Sequence, residues 1–278
     1  MNGFLSSLKL RFKRWDRRLT ITKRQQFVAI TLALTAGLIL TQLASSDFRY
    51  PLVTALSLAT YGMSAFAMRQ DLRGIEWVTL LTLPTLFTGA VGLFYFLLPV
   101  RWLTRVPVAV LYAVGMYALL LTENIYNVAA NRTIALLRAA YSVGFLLTIV
   151  TYFLLVQTLL AFRLPVIVIV LLVGAVSFVL LFQSLWAMEL GERGSSIVVR
   201  LSASLTLVLM ELAWVFSFWP AKTTLQAIFF TTCFYGLAGM AQQYLVEKLY
   251  KKTVTEFFIV CVIVLGLILL TTRWRGNL

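Results

Sequence analysis

The feature that most narrows what this chain can become is a succession of long apolar runs. They cover about 27–43, 51–68, 77–98, 106 onward, 139–162, 166–188, 197–219, 224–245 and 257–271. The bounded runs hold 15 to 24 residues with almost no charge, and at about 1.5 Å per residue such lengths suit the roughly 30 Å hydrocarbon core of a bilayer. The runs are unbroken rather than alternating, so they read as helices and not as the strands of a barrel. The expected fold is all-α: a polytopic integral membrane bundle of nine spans, with eight or ten as the alternatives. The connections are short, so residues 25–278 read as a single transmembrane domain with no soluble domain attached.

Charge sets the threading. The 278 residues carry 24 basic and 10 acidic side chains, a net charge of +14. Such an excess can mark a nucleic-acid binder, but its distribution argues otherwise. Eight of the 24 basic residues precede residue 25, and most others flank the apolar runs. That is the pattern that orients membrane proteins, so no nucleic-acid partner is expected. With a cytoplasmic N-terminus, seventeen Lys and Arg fall inside and seven outside; without the first 24 residues the balance is nine to seven. The expected location is the plasma (inner) membrane with the N-terminus cytoplasmic. Within residues 1–24, Phe4, Leu8, Phe12, Trp15 and Leu19 recur at helical spacing, and Lys9, Lys13 and Arg17 fall on another face. This segment reads as an amphipathic helix lying on an anionic leaflet, with a plain basic tail as the alternative. The expected partners are the lipid bilayer, anionic lipid at the N-terminus, and other membrane proteins.

Polar residues inside apolar runs are the candidates for function. The seventh run carries Glu211, which sits about 5 Å from the middle of a helix over 197–219. Inserting an ionised group at that depth costs roughly 2.5–3.5 kcal/mol. Glu211 therefore needs a proton, a polar neighbour or a water-filled cavity. Arg200, Ser204, Glu211 and Trp214 share one helix face, which is expected to turn into the bundle. Glu211 is the candidate intramembrane acid, as a proton or cation site or, more plainly, as a neutral hydrogen-bonding group.

A second cluster follows the fourth run. Glu123, Asn127 and Asn131 recur every four residues, with Asn124 and Arg132 on an adjacent strip. No Gly or Pro interrupts this stretch, so the helix is expected to continue to the membrane surface. An acid, amides and a guanidinium together suit a polar head group or a vestibule wall. The plainer alternative is a solvated helical extension with Glu123 paired locally. In the second run Ala55, Ala59 and Gly62 form a small-residue stripe, which predicts a central helix shielded from lipid. Gly89-Ala90-Val91 recurs as Gly174-Ala175-Val176 in the third and sixth runs, but three residues are too few to establish a repeat.

The missing chemistry is as informative. The chain has no His, and its two cysteines, Cys233 and Cys261, both lie in apolar runs. It has no zinc-protease helix motif, no nucleophile elbow and no phosphate-binding glycine loop. No metal site, cofactor or catalytic set is expected. Three functions stay open. The first is a permease or carrier for a small or amphiphilic solute, with Glu211 as its link to protons and Glu123, Asn127 and Asn131 near the cytoplasmic mouth. The second is a non-catalytic membrane scaffold or subunit that binds proteins or lipids. The third is a lipid-modifying enzyme.

Overall fold

Inside lipid the backbone must satisfy its own hydrogen bonds, and long apolar runs do so as helices. The computed structural model describes residues 22–43, 48–69, 72, 74–98, 102–129, 136–190 and 195–272. Among them lie nine helices: α1 (Lys23–Leu43), α2 (Arg49–Met68), α3 (Glu76–Tyr95), α4 (Trp102–Ala129), α5 (Leu137–Ala161), α6 (Val166–Glu189), α7 (Ser196–Phe216), α8 (Thr223–Leu245) and α9 (Lys251–Thr271). All nine are long and apolar enough to cross a membrane. The protein is an all-α, polytopic membrane bundle.

Three boundaries depart from the expected runs. α4 starts at Trp102, four residues before the apolar run, and stays helical through the polar stretch to Ala129, as that stretch's lack of Gly and Pro leads one to expect. α9 starts at Lys251, six residues before the apolar run, because lysines in a first turn can reach out to the membrane surface. α7 stops at Phe216, and the turn after it brings the Trp219 indole N–H to the Thr272 hydroxyl at 3.1 Å. The amphipathic helix expected within residues 1–24 falls outside the described residues, apart from Thr22 and from Lys23 and Arg24 at the start of α1. Asn131 and Arg132 also fall outside them.

The helices are arranged as two rings of four. In the first, α1, α2, α3 and α4 each touch the next, α4 closes on α1, and α2 touches α4 across the ring. Helices α5 to α8 repeat every one of these adjacencies, including the α6–α8 diagonal. The rings meet where α3 and α4 lie against α5, and where α3 lies against α6. α9 packs outside, on α8. Four is an even number, so corresponding helices of the two rings run in the same sense. The Gly-Ala-Val match falls on α3 and α6, which do not correspond.

Apolar attraction between helices is weak in lipid, so close packing and hydrogen bonds hold such a bundle. Thr60 donates to Thr88 at 3.0 Å, and the Thr88 hydroxyl meets that of Tyr112 at 2.9 Å, tying α2 to α3 and α4. The hydroxyls of Tyr152 and Ser177 join α5 to α6 at 3.1 Å. A Cβ placed on Gly92 would lie 2.9 Å from Val53, and one on Gly174 would lie 2.6 Å from Met210, so α2–α3 and α6–α7 approach closely at these glycines.

The expectation for α2 is corrected. This helix is peripheral, and Ala55, Ala59 and Gly62 face outward. Its buried side is the stripe of Val53, Thr60, Ser64, Ala67 and Met68. One stripe suffices, because α2 has neighbours on one side only.

Candidate functional site

The expectation for α7 is also corrected. Arg200, Ser204, Glu211 and Trp214 do share a face, but it is the outer one, with Trp214 49% exposed. The inner face carries Val198, Ser202, Leu209, Ala213 and Phe216, which fit against α6 and α8. Glu211 stands five residues from the end of α7, about 8 Å along the axis. It has no hydrogen bond or ion pair among the described residues. The polar atoms of this protein converge elsewhere.

They converge around Glu123. Because α4 stays helical past Thr122, Glu123 and Asn127 stack one turn apart on its inner face, and both are 0% exposed. Glu123 lies six residues from the end of α4, about 9 Å in. Gln183 lies six residues from the end of α6 and is 3% exposed. The two levels match, because α4 and α6 both end on the same side of the bundle. The Gln183 amide N–H donates to Glu123 Oε1 at 3.3 Å. This bond joins the first ring to the second.

Around that bond the buried polar atoms are incompletely paired. Glu123 Oε2, Gln183 Oε1 and Asn124 Oδ1 are buried and have no hydrogen-bond partner. No cation pairs with Glu123 among the described residues. A buried polar atom without a partner costs roughly 1–3 kcal/mol, so three such acceptors in one region make an expensive arrangement. What they can do chemically follows from their unused acceptor sites. A carboxyl and amide carbonyls can take up a proton or hold a small cation, and either would supply what the oxygens lack.

The surroundings fix the geometry. Tyr126 donates to the Ala140 carbonyl at 2.9 Å, which fastens the end of α4 to the start of α5. Gly144 makes that contact feasible, since a Cβ there would sit 2.5 Å from the Tyr126 hydroxyl. Next to Gln183, the Ser184 hydroxyl accepts a hydrogen bond from Gln242 of α8 at 2.8 Å. Glu76, at the first turn of α3 on the same side of the bundle, is a further acid with only 1% exposure.

Of the candidates read from the sequence, Glu123 and Asn127 are brought into one buried cluster, with Asn124 at its edge. Arg200, Ser204 and Glu211 stand apart from it, on the outer surface of α7. Gln183, Ser184, Gln242 and Glu76 were not singled out for a role. Gln183 carried a usable signal, as a lone amide in an apolar run at the same distance from its helix end as Glu123. No group of three or more His, Cys, Asp or Glu is placed to hold a metal ion among the described residues.

Comparison with known proteins adds one match. A family described as "Protein of unknown function (DUF5656)" matches residues 27–271, from within α1 to the end of α9. No curated protein and no solved structure matches the chain.

Proposed function

We propose, from the premise that the chain belongs to the DUF5656 family, whose description names no activity, that it is a permease or carrier for a small or amphiphilic solute and that Glu123 is its coupling group. One observation supports this most. A carboxyl with no exposure lies at the seam between two rings of the same connectivity, and its Oε2 and the Oε1 of the facing Gln183 are buried without a hydrogen-bond partner. A proton on Glu123 would give the acid a donor to turn toward the Gln183 amide that already touches it. A small cation would serve the same oxygens. Carriers built from parallel repeats bind their cargo at the interface between repeats near the midplane, and the Glu123–Gln183 bond, at the seam of the two rings though nearer one membrane face, supports a comparable role. The basic bias of the chain supports a cytoplasmic N-terminus in the plasma (inner) membrane. Glu123 then lies nearer the cytoplasmic face, and the basic N-terminal segment rests on anionic lipid.

The test is flux. Reconstituted in liposomes around a pH-sensitive dye, the wild type is expected to move protons when its solute is found in a screen. Glu123→Gln should abolish the proton signal and Glu211→Gln should keep it. Folding is expected to survive in Glu123→Gln, because two facing amides can exchange both hydrogen bonds. Wild-type flux in Glu123→Gln would remove Glu123 from the role, and a wild type that moves no screened solute would remove the carrier.

A second reading, a membrane scaffold or subunit, has its own support. Arg200 and Glu211 point outward, and α9 leans on α8 with most of its surface exposed. A photo-crosslinker placed at position 211 in cells should then capture a partner protein. Recovery of the chain only as itself would count against this reading.

A further inference from the structure

A groove of about 630 Å³ runs between α5, α8 and α9. α9 creates it by packing on α8 rather than on α5. The Phe257 ring fits over Gly239, where a Cβ would lie 2.7 Å from it, and meets Tyr235 edge-on at 5.1 Å. Tyr235 in turn stacks on Phe145 of α5 at 5.8 Å and forms the floor. The space left between α5 and α9 is of the size that binds small molecules.

Its two ends differ. At the membrane surface stand Arg138, in the first turn of α5, and Lys248, in the turn after α8, with Gln243 beside them. Neither cation has an ion pair among the described residues. Among the described residues no acidic side chain lines the groove, and Glu247, the neighbour of Lys248, lies outside it. Deeper in, the walls are Phe145, Leu146, Ile149 and Phe257. From Arg138 to Ile149 is eleven residues, about 16 Å, which is half of the roughly 30 Å hydrocarbon core. A soluble anion would need only the charged end, and an apolar molecule only the trough. Positive charge at the surface above an apolar channel one leaflet deep matches a molecule that combines both.

We propose that this groove is a binding site for an anionic phospholipid of the surrounding leaflet. Its phosphate lies between Arg138 and Lys248, and one acyl chain lies along Phe145, Leu146 and Ile149. The site stands independently of the carrier reading, since none of its charged groups belongs to the Glu123 cluster. It does adjoin that cluster, because Gln242 in the groove wall donates to Ser184, the neighbour of Gln183.

Native mass spectrometry of the detergent-purified full chain tests it. The probes are phosphatidylglycerol and phosphatidylcholine with the same acyl chains. One phosphatidylglycerol molecule should stay bound with roughly tenfold or greater preference, the scale expected of two basic residues beside an anionic lipid. Arg138→Ala with Lys248→Ala should erase the preference. Ile149→Trp, which fills the trough, should weaken both lipids. Lys251→Ala with Lys252→Ala removes the same charge at the same surface but outside the groove, and should change nothing. Glycerol phosphate, the head group alone, should fail to compete at concentrations where the lipid saturates. Equal binding of both lipids, an unaltered preference in the Arg138/Lys248 variant, or an equal loss in the Lys251/Lys252 variant would each overturn the assignment.

Discussion

Glu123 and Glu211 are the same side chain in two settings, and the contrast shows what a buried acid requires. Glu211 looks outward from α7, so its environment is whatever surrounds the bundle. Glu123 is enclosed by protein and has one donor among the described residues, the Gln183 amide. That single bond should be measurable. Removing either partner leaves the other short, while removing both leaves nothing to satisfy. Gln183→Leu alone is expected to destabilise the protein in detergent by about 1–3 kcal/mol. In a Glu123→Leu background the same change should do much less. A double-mutant cycle on thermal or chemical unfolding should return a coupling of about 0.5–2 kcal/mol, the usual range for hydrogen bonds between membrane helices. Additive losses would mean that the 3.3 Å contact carries no energy of its own.

At the scale of the helix, glycines separate close contacts from mere composition. Gly144 faces the Tyr126 hydroxyl and Thr122, and a Cβ there would meet that hydroxyl at 2.5 Å and Thr122 at 3.2 Å. Gly62, in the stripe that marked α2 as central, has nothing within 4 Å of where its Cβ would be. Gly144→Ala is therefore expected to lose the Tyr126–Ala140 bond and to lower stability by about 1–3 kcal/mol. Gly62→Ala should hold or raise stability, by up to about 1 kcal/mol, through helix propensity alone. Comparing their melting points in one detergent decides the matter. The pair also explains how much the sequence could tell. The spans were legible because length and apolarity suffice to identify them. How each helix is rotated was not legible, because lipid and protein core are equally apolar and no polar stripe marks the outer face. That is why the small residues of α2 and the acid of α7 were expected to face inward. The polar end of α4 was readable because it leaves the apolar pattern altogether. Its partner on α6 was not, since a single Gln among leucines and valines does not reveal which helix it will meet.

For the molecule as a whole, the identical adjacencies of the two rings divide the chain between α4 and α5. Each ring packs large side chains against its own, such as Tyr112 stacked on Phe87 in the first and Phe234 stacked on Tyr152 in the second. Each should therefore insert as a unit when made separately. The seam adds a second layer of packing, in which α3 and α4 lie against α5, α3 against α6, and Glu123 accepts from Gln183. Neither ring alone can cover the seam face of α3 or of α5, and neither can supply both halves of that hydrogen bond. Membrane helices form first and associate afterward, so a covalent link between the rings is not needed for them to find each other. Two fragments, 1–132 and 133–278, co-expressed with a tag on the first, should copurify in mild detergent in equal amounts. Gln183→Leu in the second fragment should reduce the yield of the pair, because the seam loses its polar bond. Gly62→Ala in the first should leave the yield unchanged, because α2 faces away from the seam. Fragments that never copurify, or a yield indifferent to Gln183, would mean that the rings do not associate as units and that the position of Glu123 between them has no mechanical meaning.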